Sequence, residues 1–233
     1  MRCIVVVPTY NERENLPAIV EGIQEHLPDT DILVVDDNSP DGTGELADEL
    51  ATAQPEKVFV IHRARKEGLG PAYIEALKVA VARDYDLIAH MDADLSHDPR
   101  FLPLFFEKIQ DCDLVVGSRY LNGISVVNWD LKRLILSKAA TAYIRFVTSM
   151  PVTDATSGFK LWRRETLAAI DLERVRSNGY VFLAETSYRA FRNGAKIGEV
   201  PIVFVERRLG RSKFSLGIII EAFLGVLRMR LSR

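Results

Sequence analysis

Residues 87–97 read Leu-Ile-Ala-His-Met-Asp-Ala-Asp-Leu-Ser-His, an apolar run followed directly by two aspartates spaced two apart. The run 87–91 is too short for a typical helix and has the composition of a strand buried on both faces of a parallel sheet. Carboxylates that follow such a strand lie at the carboxyl edge of the sheet, where α/β proteins bind their ligands. This stretch therefore predicts both a class of fold and the position of a site.

Similar short runs rich in β-branched residues occupy 4–7, 32–35, 58–61 and 114–116. Segments with helical periodicity separate them, which is typical of an α/β protein with a mostly parallel central sheet flanked by helices. Between the first two runs, apolar residues recur at helical spacing: Leu16, Ile19, Val20, Ile23 and Leu27. After residue 117 we predict a long loop and then further elements: helices over 130–149 and 182–192, and a strand over 197–204.

The composition is that of a globular protein with a sizeable core. The chain has 233 residues, of which 48% are hydrophobic and 27% charged, which suits about one domain. A net charge of -2 and a pI near 6.1 argue against a general nucleic-acid-binding protein. Cys3 and Cys112 are too few for a disulfide framework, and the N-terminus lacks the pattern of a signal peptide. We therefore expect a cytoplasmic protein.

The C-terminal region contains the most apolar segment, 216–227. Glu221 interrupts it, and Arg228, Arg230 and Arg233 follow it. It falls short of the roughly 18 uninterrupted apolar residues that a membrane-spanning helix needs. Two interpretations fit equally: a buried C-terminal helix, or an interfacial helix whose basic end favours anionic lipid.

Polar clusters follow four of the predicted strands, at 8–12, 36–39, 92–94 and 117–120. Parallel strands would bring these clusters to one edge of the sheet. There Asp92 and Asp94 would repel each other unless a cation lay between them, and hard oxygen ligands suit Mg²⁺ or Mn²⁺. The sequence thus predicts a divalent metal site. His97, beside the pair, is a weaker candidate for contact with the metal or a phosphate.

The chain has neither of the usual glycine-rich phosphate loops, which disfavours dehydrogenase and ATPase functions. A bound diphosphate would then need a metal and cationic side chains. Arg119 and Arg133 are candidates, whereas Lys132 is better explained as a solvated residue. The run 206–213 is also basic, and its Gly and Ser residues suit a loop that closes over phosphates.

The stretches 7–12, 35–43 and 91–97 resemble the inverting family-2 glycosyltransferases with a GT-A fold. Within that family, further stretches are similar to the dolichyl-phosphate (polyprenyl-phosphate) mannose synthases: 68–70, 129–133, 179–182, 198–201 and 204–213. The resemblance extends from residue 4 to about residue 213. It implies one glycosyltransferase domain over 1–233, with a nucleotide-sugar half (1–117), an acceptor half (118–213) and a possibly membrane-interfacial helix (214–233).

The resemblance implies transfer of mannose from GDP-mannose to a polyprenyl (dolichyl) phosphate with inversion, giving polyprenyl β-mannosyl phosphate and GDP. Because a phosphate acceptor is already ionised near neutral pH, this reaction requires no general base. Two alternatives stay open. One is the same fold using UDP-glucose or another nucleotide sugar with a lipid phosphate, and the other is a non-catalytic nucleotide-sugar-binding subunit.

Carried across position by position, the resemblance also assigns roles to individual residues. Asp92 and Asp94 would ligate Mg²⁺ or Mn²⁺ and, with Ala93, hold the diphosphate. The nucleoside would be held by Pro8, Tyr10, Glu12, Val35 and Asp37. Arg207 and Lys213 would close over the diphosphate, and the lipid phosphate would be gripped by Arg119, Arg133 and Ser137. Asp92, Asp94 and Arg119 are the expected catalytic residues, and Arg119 is also counted among those that bind the donor.

Some members of the family carry a third metal ligand at the position of Ser96, so the resemblance leaves the preferred metal open. Some also carry membrane-spanning helices, while others are held at the membrane by small anchoring subunits. This chain resembles the members without membrane-spanning helices, although a truncated chain would look the same. We expect a peripheral enzyme on the cytoplasmic face of a membrane. Four apolar residues are either a path for the lipid tail or ordinary core: Ile124, Val126, Val127 and Trp129.

Overall fold

The computed structural model describes residues 1–175, 177, 179–206 and 216–231, and for 216–222 it describes the backbone alone. Nine strands are present in these residues: β1 (Cys3–Thr9), β2 (Asp31–Asp36), β3 (Val58–His62), β4 (Leu87–His90), β5 (Leu114–Ser118), β6 (Val126–Val127), β7 (Lys160–Arg163), β8 (Ile197–Pro201) and β9 (Phe204–Val205). Seven of them form a sheet in the order β3-β2-β1-β4-β7-β5-β8, and β6 pairs with β9 in a second, small sheet.

The central sheet is parallel except at β7, which pairs antiparallel with both β4 and β5. This confirms the predicted mostly parallel sheet. The prediction of one strand over 197–204 is wrong. The chain bonds to β5 as far as the Ile202 amide, which donates to the Ser118 carbonyl oxygen at 3.0 Å, and it resumes at Phe204 alongside β6.

Eight helices occur in the described residues: α1 (Leu16–His26), α2 (Thr43–Ala53), α3 (Leu69–Ala82), α4 (Leu102–Lys108), α5 (Leu131–Thr148), α6 (Arg164–Ala168), α7 (Gly179–Arg192) and α8 (Leu216–Leu231). Gly68 enters α3 with a φ of 102°, which only glycine adopts without strain. Asp130 caps α5 by accepting a hydrogen bond from the Arg133 amide at 2.7 Å. Both local sequences therefore explain where their helices begin.

Apolar side chains cover both faces of the sheet. In β1, Val5 and Val7 pack with α1 on one face, and Ile4 and Val6 pack with α3 on the other. This two-sided burial explains why the strands read as continuous apolar runs. A third apolar cluster joins α5, α7 and α8 beside the sheet.

Helix α8 is buried along one part of its surface and exposed along another. Val226 and Met229 are buried, whereas Phe223 and Leu231 are 50% and 79% exposed. The ring of Phe223 stacks on Tyr143 of α5 with centroids 4.6 Å apart. Of the helices in the described part of the chain, none is long and apolar enough to cross a bilayer.

Lys160 in β7 is fully buried, and its ammonium group donates a hydrogen bond to the Leu183 carbonyl oxygen. Burial lowers the pKa of Lys160 from 10.5 to about 7. The unfolded chain therefore binds more protons between these pH values, and the free energy of unfolding should rise with pH across that window because of this group.

We expect Lys160→Met to lack this rise, as measured by urea unfolding from about pH 7 to about pH 10. Lys78→Met, which changes an exposed lysine on α3, is the control and should keep the wild-type slope. Equal slopes in the wild type and Lys160→Met would show that Lys160 titrates at an ordinary pKa.

Candidate active site

The carboxyl ends of β2, β1 and β4 lie side by side, so the polar residues that follow these strands share one edge of the sheet. Thr9 links the first two ends. Its hydroxyl donates to Asp36 Oδ1 at 3.2 Å, and its carbonyl oxygen accepts from the Asp37 amide at 3.0 Å. Hydrogen bonds therefore connect the segments after β1 and β2 at the edge of the sheet where the site is predicted.

The loop that carries Asp92 and Asp94 is held by its own hydrogen bonds. The Asp92 amide donates to His97 Nδ1 and the Ser96 amide donates to Asp94 Oδ1, each at 3.1 Å. Leu95 between them has a φ of 60°, as the tight turn requires. The backbone of Gly158 lies close to this loop, and a Cβ at that position would lie 3.3 Å from Asp92 Oδ1. These contacts present both carboxylates at the edge of the sheet.

His97 supports this loop. Its ring is buried between Phe159 and Phe204, with centroids 5.2 and 5.4 Å away. Its Nδ1 accepts the hydrogen bond from the Asp92 amide. This arrangement gives Nδ1 a structural role and does not favour the predicted contact with a metal.

The Asp92 carboxyl lies in a recess, and 35% of its side chain remains exposed. Burial raises its pKa; the charge of Asp94 adds to this rise, and His97 and Arg119 oppose it. The Tyr73 hydroxyl lies 3.4 Å from Asp92 Oδ1 as a hydrogen-bond donor. Burial and the Asp92 charge hold the pKa of Tyr73 well above its usual range, so the hydroxyl keeps its proton. Tyr73 was not predicted from the sequence, because only the packing of α3 brings it here.

The carboxylates of Asp92 and Asp94 repel each other when both are ionised. A hard divalent cation bound by both would neutralise their charge. In the described residues, no group of three or more His, Cys, Asp or Glu side chains is arranged to hold a metal. Asp92 and Asp94 fit an ion such as Mg²⁺, which is typically held by one or two carboxylates and completes its shell with phosphate oxygens and water. The predicted pair thus suits a metal bound together with a diphosphate.

The residues predicted to hold the nucleoside lie at the carboxyl ends of β1 and β2 or directly after these strands. Pro8, Tyr10 and Glu12 are partly exposed, whereas Asp37 is 5% exposed. The Val35 side chain lies in the core, so contact with a ligand would involve its backbone. The ammonium group of Lys66 lies 3.2 Å from the centroid of the Tyr10 ring.

Arg63 organises this side of the site and was not predicted. Its guanidinium is buried and donates to Asp37 Oδ1, to Glu67 Oε2 at 2.8 Å and to Glu75 Oε2 at 2.9 Å. Arg65 also pairs with Glu67, at 2.8 Å, so the cluster holds cations as well as carboxylates. The members of this cluster come from the loop after β2, the loop after β3 and α3, and of the three pairs only Arg63–Glu67 is local in sequence.

The residues predicted to grip the acceptor phosphate, Arg119, Arg133 and Ser137, line one cavity of about 420 Å³. The Arg133 guanidinium lies 4.3 Å from the Trp129 ring centre, and the Ser137 hydroxyl accepts a hydrogen bond from Tyr120 at 2.7 Å. Apolar side chains from three helices form the rest of the wall: Leu136, Ala140 and Ile144 of α5, Val181 of α7, and Phe223 and Val226 of α8.

The structure places the four apolar residues, which the sequence left open as a lipid path or ordinary core, in different surroundings. Of the four apolar residues considered, Trp129 lines the cavity. Ile124 and Val127 are 54% and 41% exposed, and Val126 pairs with Phe204 in the small sheet. The apolar wall comes instead from α5, α7 and α8, whose assembly the sequence does not show.

Arg119 is held in a fixed orientation by residues of the loop between α5 and β7. Its Nε and Nη2 donate to the two carboxylate oxygens of Asp154 at 2.6 and 2.7 Å, and Nη2 also donates to Thr156 Oγ1 at 2.9 Å. Asp154 was not predicted, and the residue types around Thr156 did not decide its role. Arg207 and Lys213, predicted to close over the diphosphate, lie outside the described residues.

Three comparisons place this chain among known proteins. It is 48% identical over 237 residues to the polyprenol monophosphomannose synthase of Mycolicibacterium smegmatis, covering 100% of this chain and 89% of that protein. It is 45% identical over 232 residues to the undecaprenyl-phosphate mannosyltransferase of Micrococcus luteus, covering 100% of this chain and 95% of that protein. These relatives confirm the resemblance to polyprenyl-phosphate mannose synthases.

Solved structures of glucosyl-3-phosphoglycerate synthase from Mycobacterium tuberculosis share the fold. One, with UDP, has a TM-score of 0.69 at 19% identity and covers 100% of this chain and 81% of that chain. Another, with Mn²⁺, UDP and phosphoglyceric acid, has a TM-score of 0.71 at 18% identity and covers 98% and 78%. The predicted GT-A fold is confirmed. The profile of glycosyl transferase family 2 matches residues 4–170, and the chain belongs to that family.

Proposed function

We propose that this protein transfers mannose from GDP-mannose to a polyprenyl monophosphate with inversion, giving polyprenyl β-mannosyl phosphate and GDP. One observation carries the proposal: a single cavity has Arg119, Arg133 and Ser137 at one part of its wall and apolar side chains along the rest. This matches a ligand with a charged head and a greasy tail. The names of the two relatives support the same class of acceptor and the same sugar.

The acceptor and donor regions meet at Arg119. Its charge opposes the rise in the pKa of Asp92, so the two groups lie within electrostatic range of each other. A phosphate held by Arg119 and Arg133 would therefore lie beside the diphosphate of a donor held near Asp92 and Asp94. Placing two anionic substrates next to each other requires this concentration of positive charge.

The reaction then depends on positioning and charge. An oxygen of the lipid phosphate attacks the anomeric carbon as the bond from that carbon to the diphosphate oxygen breaks, which inverts an α-linked donor to a β product. Arg119 and Arg133 orient the attacking phosphate, and no proton has to be removed from it. When bound, Mg²⁺ or Mn²⁺ held by Asp92 and Asp94 supplies positive charge that offsets the charge on the departing GDP. We assign the closing role over the diphosphate to Arg207 and Lys213.

The nucleoside side favours guanine. Guanine presents two neighbouring N–H donors on its base-pairing edge, whereas uracil presents one between two carbonyl oxygens. Asp37 is an acceptor at this place, and Arg63 binds its Oδ1 so that Oδ2 is left as acceptor for a base.

We expect Asp37→Asn to weaken GDP-mannose binding about tenfold or more, because the amide would place a donor against the donors of guanine. Calorimetric titration with GDP-mannose and UDP-glucose measures this change and the base preference together. Asp48→Asn, a change at an exposed carboxylate on α2, serves as the control and should bind like the wild type. Tighter binding of UDP-glucose by the wild type would favour the alternative donor.

We further propose that the enzyme works at a membrane surface. The joined helices α5 and α8 expose large apolar side chains, among them Leu131 (68%), Phe146 (88%) and Leu231 (79%). Lys138 and Arg145 of α5 and Arg228 and Arg230 of α8 add positive charge suited to anionic lipid. The same two helices contribute to the apolar wall of the cavity, so a lipid tail entering it would come from the side that faces the bilayer.

The test of the proposed function uses purified protein, GDP-mannose, Mg²⁺ or Mn²⁺, and farnesyl phosphate as a short polyprenyl monophosphate. We expect farnesyl mannosyl phosphate with β configuration, together with GDP, and no product with farnesol or after chelation of the metal. Binding of GDP-mannose without transfer, even with membranes supplied, would contradict the proposal and favour a non-catalytic subunit.

A further inference from the structure

Each arginine at the acceptor cavity is already paired with a carboxylate of the same chain. Arg119 pairs with Asp154, and Arg133 pairs with Glu206. Neither carboxylate was anticipated as part of the site. The site proposed for the acceptor phosphate thus contains two carboxylates that compete with phosphate for the two arginines. The two ion pairs differ in burial and in the number of hydrogen bonds that hold them.

The Asp154 carboxylate is buried and firmly bound to Arg119. It is 0% exposed, and its oxygens accept three hydrogen bonds from Arg119, including the one from the Arg119 amide at 3.1 Å. Glu199 of β8 holds the loop from behind by accepting from the amides of Thr153 at 2.8 Å and Asp154 at 3.1 Å. Removing Asp154 from Arg119 would leave a buried guanidinium without a counter-charge, which is strongly unfavourable.

The Glu206 carboxylate is held much more loosely. It follows β9, its side chain is 23% exposed, and Arg133 Nη1 donates to it. Among the described residues, no second donor binds this carboxylate. A phosphate monoester carries more charge and more acceptor oxygens than a carboxylate, so it competes effectively for one arginine. Arg133 stays in place during such an exchange because its guanidinium rests on the Trp129 ring.

We propose that Asp154 is the permanent counter-ion that positions Arg119, and that Glu206 is an exchangeable counter-ion of Arg133 that the acceptor phosphate displaces. This inference rests on the proposed function and adds to it a rule of selectivity. An acceptor without a phosphate charge cannot displace Glu206, so the pair excludes neutral polyprenols from Arg133.

The two roles predict effects of opposite sign. Asp154→Asn should weaken binding of farnesyl phosphate about tenfold or more, because Arg119 loses its fixed orientation. Glu206→Gln should strengthen binding about threefold to tenfold, because the competing charge is gone. The fluorescence of Trp129 reports this binding directly, since Trp162, the other tryptophan, is fully buried in the core. GDP-mannose affinity should be unchanged in Glu206→Gln, because Arg133 is assigned to the acceptor alone.

Two control variants match these changes elsewhere in the chain. Asp31→Asn alters a buried carboxylate that accepts from the Tyr85 hydroxyl at 2.7 Å at the opposite edge of the sheet. Glu173→Gln alters an exposed ion pair with Lys78. Neither should change farnesyl phosphate affinity. If Asp154→Asn fails to fold, Glu199→Gln replaces it, because it loosens the loop while keeping the ion pair, and it should also weaken binding.

The outcomes separate this inference from the proposed function. Failure of the wild type to bind farnesyl phosphate would overturn the proposed function itself. If the wild type binds it, weaker binding by Glu206→Gln would overturn the exchange. Unchanged binding by a folded Asp154→Asn variant, or by Glu199→Gln in its place, would overturn the positioning role. Acceptor KM, measured in the transfer assay, should fall in Glu206→Gln and rise in Asp154→Asn.

Discussion

The Asp94→Ala variant is expected to lose mannosyl transfer by about a thousandfold while keeping its fold. The loss follows from the proposed role of Asp94, which helps to hold the ion that offsets charge on departing GDP. The fold should survive, because Asp94 adds to the rise of the Asp92 pKa and its removal relieves that repulsion. Turnover of GDP-mannose with farnesyl phosphate measures activity, and thermal unfolding measures stability.

The control for this change is Asp84→Ala, at an exposed aspartate after α3. It should turn over like the wild type. Calorimetric titration with Mn²⁺ and GDP gives a second readout, in which Asp94→Ala should bind the nucleotide with little dependence on the metal. Turnover equal to the wild type in Asp94→Ala would refute the role assigned to Asp94.

The Arg133→Lys variant is expected to raise the acceptor KM about tenfold to a hundredfold and to leave GDP-mannose affinity unchanged. Lysine keeps the positive charge but loses the planar group that lies 4.3 Å from the Trp129 ring centre and can hold two phosphate oxygens at once. The effect should therefore appear in KM for farnesyl phosphate, measured by initial rates at saturating GDP-mannose.

The neighbouring Lys132 offers a matched control, because it is exposed on the same turn of α5. Lys132→Ala should change the acceptor KM little. An acceptor KM in Arg133→Lys equal to that of the wild type would mean that charge alone suffices at this position, and the forked contact would be discarded.

Much of the site was predictable because its residues follow strands. The apolar run before Asp92 identified β4, and the parallel sheet then required the ends of β1, β2 and β4 to meet at one edge. Arg119, Arg133 and Ser137 were assigned to the acceptor by resemblance alone, and the fold brings all three to one cavity. Their roles in catalysis and binding remain predictions.

The partners of these residues were not predictable. Tyr73 is far in sequence from Asp92, and Asp154 is far from Arg119. The same holds for Arg63 with Asp37 and for Glu206 with Arg133. The strand predicted over 197–204 failed for a related reason. Its residue types suit a strand throughout, and the break after Pro201 depends on which neighbour is available to pair.

The amino-acid sequence by itself determined the α/β class, the positions of the first five long strands along the chain, and the carboxylate pair. Alternating apolar runs and turns act over short distances along the chain, which is why they could be recognised there. Only the tertiary structure decided which carboxylate balances which arginine and which helices form the apolar wall of the cavity. Ion pairs and packing depend on distances in space between residues far apart in sequence, and those distances exist only once the sheet and its helices have assembled.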